Sequence, residues 1–174
     1  LINLLVETTT TYLTRQVESG AEIIQLFDSW AGILNEQQFH RWSVKPTQQI
    51  VNRLRESCPG VPLIGFPRDV GPLAEPFVID TGIDAISLDQ DTSLEWIAET
   101  LQPKCTVQGN LDNQVLVKGG EILDRETKAI LKALSKGPFI FNLGHGVLPA
   151  TPPEHVARVA ELVLGWPATA KEVR

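Results

Sequence analysis

The chain has 174 residues with a net charge of −6, 43% hydrophobic and 21% charged residues, the balance of a soluble globular domain long enough to bury a core. The acidic balance, with no basic run, argues against nucleic acid as a partner, and no apolar run approaches the roughly 18 residues of a membrane span. Two cysteines, Cys58 and Cys105, are too few for a disulfide framework and fit a reducing, cytoplasmic setting.

Taken in order, the chain opens with a helical pattern over residues 1–19 that stops at Gly20. It lacks the basic region and cleavage site of a signal peptide. The chain begins at Leu1 and has no methionine, so it reads as a piece of a longer or processed product. Five short apolar runs then alternate with helical segments. They are 22–27 (EIIQLF), 62–66 (PLIGF), 85–88 (AISL), 105–108 (CTVQ) and 139–143 (FIFNL). Their length and their β-branched and aromatic content predict strands.

Between them, Asn35 with Gln38 forms a capping pair that opens a helix running towards Ser57, which Pro46 should kink or divide. A short helix is predicted over 73–79. Thr92 with Glu95 predicts another capping box. Residues 120–135 carry Ile122, Leu123, Ile130, Leu131 and Leu134 at helical spacing, with Gly137 as the stop. Thr151-Pro152-Pro153-Glu154 signals a last helix, with threonine as cap, proline at the first position and glutamate answering. The alternation implies βαβ units and a mostly parallel sheet. No Gly/Ser linker interrupts it, so residues 1–174 read as a single domain.

Each strand runs into a polar or glycine-rich turn: FDSWAG, GFPRDVG, LDQDTS, QGNLDN and NLGHGV. These turns present Asp28 and Ser29, Arg68 and Asp69, Asp89 and Asp91, Asn110 and Asp112, and His145 at strand C-termini, where (β/α) barrels and doubly wound sheets bind ligands. Five units allow either a flavodoxin-like sheet or part of an eight-unit barrel. Arg68 can clamp an acidic ligand or pair with Asp69. Asp89 and Asp91 fit solvated turn charges, and Asn110 and Asp112 a tight turn. Gly144 and Gly146 clear space on both sides of His145, whose imidazole can donate or accept near neutral pH. There is no GxGxxG, P-loop or GxSxG. His40, His145 and His155 are scattered and neither cysteine has a CxxC or HxC partner, so no zinc site is predicted.

Together, QLFDSWAG (25–32), IGFPRD (64–69), ISLDQDTS (86–93), VQGNLDN (107–113) and FNLGHGVLPATPPEHV (141–156) resemble the uroporphyrinogen decarboxylase family, in its order and across nearly the whole chain. The resemblance implies the C-terminal five βα units of a TIM (β/α)8 barrel, with parallel strands and outer helices. It also implies a cofactor-free homodimer that removes carbon dioxide from four acetate side chains of uroporphyrinogen III, giving coproporphyrinogen III in haem and chlorophyll synthesis. The protonated pyrrole then serves as electron sink. By motif, Ser29 falls at the family's carboxylate-binding hydroxyl and His145 at its substrate-contacting histidine, while Phe27 lines the cleft. Arg68 is a further candidate.

The family's RQAGR arginines, its pyrrole-binding aspartate and its substrate-binding tyrosine have no match here. Tyr12, the only tyrosine, lies in a predicted helix. No catalytic residue is therefore assigned within these residues, and the chain alone is expected to be inactive. Asn113 stands where the family has proline. Two other readings remain: a corrinoid- or thiol-dependent methyltransferase of the same superfamily, which stoichiometric zinc would favour, and a non-catalytic half-barrel that binds porphyrinogen or self-associates.

Overall fold

In a computed structural model, which describes residues 1–167, the chain forms two compact units, residues 1–87 and the described residues from 88 onward. Each is an α/β assembly of parallel strands and helices, as in part of a (β/α) barrel. No helix among the described residues is long and apolar enough to cross a membrane.

In the first unit, α1 (Ile2–Glu18) buries Val6 and Leu13, two turns apart on one face, and packs against α3. Gly20, at φ +106, releases the chain into β1 (Ile24–Asp28). The Asn35 capping box forms as expected: the Asn35 side chain accepts from the Gln38 amide at 2.9 Å, and Gln38 returns the bond. It opens α2 (Glu36–Phe39), which widens into a π-helical turn at His40–Val44 before α3 (Lys45–Ser57). The chain nevertheless stays helical through Pro46, which follows directly on the π-helical turn; the structure shows no break there.

β2 (Leu63–Pro67) is buried at all five positions. It lies parallel between β1 and β3 (Ala85–Ser87), with Leu26 and Ile86 both opposite Gly65. That glycine has a packing reason. A Cβ there would come within 2.7 Å of the Phe77 ring on α4 (Ala74–Thr81). At the other end of the strands Arg55 reaches from α3 to Asp84 at 2.7 Å and to the Val61 carbonyl at 3.2 Å. Asp84 also accepts from the Leu63 amide at 2.7 Å, which sets where β2 begins.

In the second unit, α5 (Leu94–Trp96) continues as a π-helical turn over Ile97–Leu101. Its cap is Ser93, accepting from the Trp96 amide, rather than Thr92. The Thr92 hydroxyl is engaged elsewhere, donating to Asp89. β4 (Thr106–Leu111) extends three residues further than its sequence pattern suggested, and α6 (Asn113–Lys118) follows it unpredicted. α7 (Gly120–Leu134) turns Leu123, Ile130, Leu131 and Leu134 inward. Leu101, Leu111, Leu123 and Leu134 are fully buried, each worth about 1.5–3 kcal/mol of transfer free energy.

β5 (Phe139–Leu143) lies parallel to β4, from Val107↔Phe139 to Leu111↔Leu143. It alternates between half-buried and exposed positions. α8 (Pro153–Leu164) starts one residue later than expected, with Pro152 as the N-cap. The Thr151 hydroxyl is buried without a partner instead of capping.

Candidate functional site

The candidate residues fall in both units. Phe27, Ser29 and Arg68 belong to the first and His145 to the second.

In the first unit, pairing of Phe27 with Phe66 and of Asp28 with Pro67 brings the C-termini of β1 and β2 level. The Arg68 amide extends the ladder by donating to the Asp28 carbonyl at 3.1 Å. Ser29, exposed in the turn after β1, therefore sits beside the β2 end that carries Arg68. Phe27 is 67% exposed and meets Phe66 edge-on, ring centroids 5.9 Å apart.

Of the two readings of Arg68, the pairing with Asp69 is the one observed. Its Nη2 pairs with Asp69 at 3.0 Å, and the side chain is only 24% exposed. Its Nε is buried with no hydrogen-bond partner, an unspent donor on a fixed cation. Asp69 adopts φ 60, sparsely populated for a residue with a side chain. Gly32 lies against it: a Cβ on Gly32 would overlap the Asp69 backbone. The two turns thus interlock through a position only glycine can fill.

In the second unit, Asn110 overturns its expected role. It lies in β4, not in a turn, and is 5% exposed. Its amide donates to the carbonyls of Asp89 and Thr92, both at 2.9 Å. Asp89 is likewise buried rather than solvated. Its carboxylate accepts from the Asp91 amide at 3.1 Å and the Thr92 hydroxyl at 3.0 Å, an Asx-type turn that shapes the loop. Asp112 is the N-cap of α6, accepting from the Gln114 amide at 2.8 Å.

His145 follows β5 and is exposed. Gly144 donates to the Leu111 carbonyl at 2.8 Å, and a Cβ on it would overlap the Gln90 amide nitrogen, so the turn before His145 packs backbone against backbone. The His145 Nδ1 accepts from the Gly146 amide at 2.7 Å, the contact expected of the neutral tautomer that carries its hydrogen on Nε2. The Gly146 carbonyl accepts from the Asn113 side chain at 2.8 Å. None of these polar contacts was legible in the motif. Only the paired glycines hinted at close packing.

The zinc reading finds no support around His145. Cys105 stands just before β4, at the N-terminal end of the strand pair, whereas His145 follows the C-terminal end of β5. Six residues of strand hold such positions about 17 Å apart, far beyond a shared coordination sphere.

The family model for uroporphyrinogen decarboxylase (URO-D) matches residues 1–166. Uroporphyrinogen decarboxylase of Rhodospirillum rubrum is 52% identical over 163 residues, covering 94% of this chain and 47% of the relative. That of Paracoccus denitrificans is 47% identical over 95% of the chain and 48% of its own length. That of Granulibacter bethesdensis is 45% identical over 94% and 48%. The chain spans about half the length of the curated relatives it matches. With a family match over nearly every described residue, and strands and turns ordered as its motifs require, the chain belongs to the uroporphyrinogen decarboxylase family.

Proposed function

We infer that the chain supplies part of the substrate-binding face of a uroporphyrinogen decarboxylase. The reaction converts uroporphyrinogen III to coproporphyrinogen III, each of four acetates losing carbon dioxide and gaining a proton to become methyl. The reading carries a single (β/α)8 domain, a cofactor-independent homodimer and a cytoplasmic setting. Ser29 donates its hydroxyl to a substrate carboxylate, His145 donates from Nε2 to a second acceptor, and Phe27 lies against the macrocycle. Arg68, whose side chain is partly exposed, provides a cation beside Ser29. An octacarboxylate needs such partners to offset desolvation.

One observation carries the reading: Ser29 and His145 are both exposed immediately beyond the C-termini of parallel strands, the ligand-facing end of (β/α) folds. The 174 residues contain no RQAGR sequence, so binding without turnover is expected of this chain alone. Anaerobic titration with uroporphyrinogen III should give saturable binding that Ser29→Ala and His145→Ala each weaken, and no coproporphyrinogen should form. Absence of binding would sink the site assignment. Turnover near that of a full-length relative would sink the expectation of inactivity.

A further inference from the structure

We propose that Asn113 is a positioning residue that latches the His145 turn and aims the imidazole. The inference rests on the reading of His145 as a ligand contact, and its structural half can be tested without substrate.

Two successive peptide units meet at Gly146, and each is held. The 145–146 peptide donates its N–H to the His145 Nδ1 at 2.7 Å, and the carbonyl of the 146–147 peptide receives the Asn113 side-chain amide at 2.8 Å. Glycine has the widest backbone freedom of any residue, and a Cβ on Gly146 would meet nothing within 4 Å, so side-chain bulk fixes neither unit. The Asn113 amide pins the second from a rigid base, because Asn113 is the first residue of α6, directly after the Asp112 cap and two residues beyond β4. With Gly144 seated and the 146–147 peptide pinned, the short span between them limits rotation of the 145–146 peptide and keeps its N–H on Nδ1. The ring is then held as an Nε2–H donor, suited to a carboxylate or carbonyl oxygen. Preceding Gly146, Gly144 packs against the Gln90 backbone. The segment 144–146 is therefore anchored at its start by packing and at its end by the latch.

Two substitutions at Asn113 supply the test. Proline suits the first position of a helix, so Asn113→Pro keeps α6 while deleting the donor. Asn113→Asp keeps the shape, favours the helix N-terminus by charge, and faces the Gly146 carbonyl with an acceptor.

The experiment uses the 174-residue chain and these two variants. Nitrogen-15 NMR reads the His145 tautomer and Gly146 amide exchange, with urea midpoints as a control on folding. Both variants should keep their midpoints, speed Gly146 exchange by about fivefold, the worth of one hydrogen bond, and shift His145 towards a tautomer mixture. Uroporphyrinogen affinity should fall by a similar factor, and should not change when Asn113→Pro is added to His145→Ala. Unchanged exchange and tautomer in both variants would overturn the latch, as would an affinity loss that persists without His145. If the parent chain binds no porphyrinogen while the NMR changes appear, the latch stands and the functional reading of His145 fails.

Discussion

Replacing Asn110 with alanine tests whether the second unit depends on the amide that β4 inserts beneath the 89–92 loop. The side chain is 5% exposed and donates two bonds of 2.9 Å, to the Asp89 and Thr92 carbonyls. Truncation removes one of two donors to the buried Asp89 carbonyl, which keeps the Thr92 amide at 3.3 Å, at about 0.5–1.5 kcal/mol. The Thr92 carbonyl is reached by water more easily and adds about 0.5–1.5 kcal/mol. The expected loss is roughly 1–3 kcal/mol, a sizeable share of the 5–15 kcal/mol typical of a domain. At a urea slope of about 2 kcal/mol per molar the midpoint falls by about 0.5–1.5 M, readable by fluorescence from Trp96, three residues past Ser93. Asn110→Asp sharpens the test. Ionised, the new carboxyl offers only acceptors to two carbonyls; protonated, it regains one donor. Its folded-state pKa is then raised, so its penalty should be full at neutral pH and shrink as pH falls through the carboxylate range. A midpoint shift below about 0.3 M for Asn110→Ala, or an Asn110→Asp penalty independent of pH, would refute the reasoning.

Two further outcomes follow from the α6–α8 region. A Cβ on Gly119 would overlap the His155 ring, and Gly119 also holds φ +67, so Gly119→Ala should cost about 1–3 kcal/mol. His155→Ala itself removes the bond to the Leu116 carbonyl at 2.9 Å. In that background the Gly119→Ala cost should drop by at least about 1 kcal/mol, and a double-mutant cycle showing additivity would contradict the contact. Arg158 on α8 donates to Asp124 on α7 at 2.9 Å through Nε and forms a second, shorter bond through Nη2. The hydrogen bond from Arg158, ahead of charge attraction to it and to Lys128, holds the Asp124 carboxyl below its ordinary value. A carboxylate with a depressed folded pKa stabilises above its unfolded pKa and loses that contribution as pH falls through the folded one. Arg158→Met should therefore lessen the decline in stability below the normal carboxylate range, with the difference shrinking in high salt. Parallel acid-unfolding curves for parent and variant would count against it.

Element type was legible where periodicity and local chemistry agreed. Gly20 stops α1 and the Asn35–Gln38 pair opens α2, each through geometry within a few residues. Asn110 shows where that reasoning ends. QGNLDN looks like a turn because Gly, Asn and Asp favour turns, yet the amide is matched by carbonyls 18 and 21 residues away. Once those acceptors were present the strand could continue. Thr92 misled for a related reason. Its hydroxyl is spent on Asp89, which passes the cap to Ser93. At the candidate site, the exposed positions of Ser29 and His145 followed from strand-end logic, whereas Phe27 came only from the family resemblance. The unpartnered Nε of Arg68 and the amide of Asn113 on Gly146 depend on how separate turns meet, which no local pattern encodes.

The backbone-to-backbone seat of Gly144 on Gln90 bears on how a ligand would meet His145. Ordering a mobile loop around a ligand erodes affinity in proportion to the freedom lost. Here the main chain before the imidazole is already immobilised when the unit folds, by contacts that involve no ligand-facing side chain. The ring arrives preorganised, and exchanging it for another functional group would alter what is recognised while leaving its mounting unchanged.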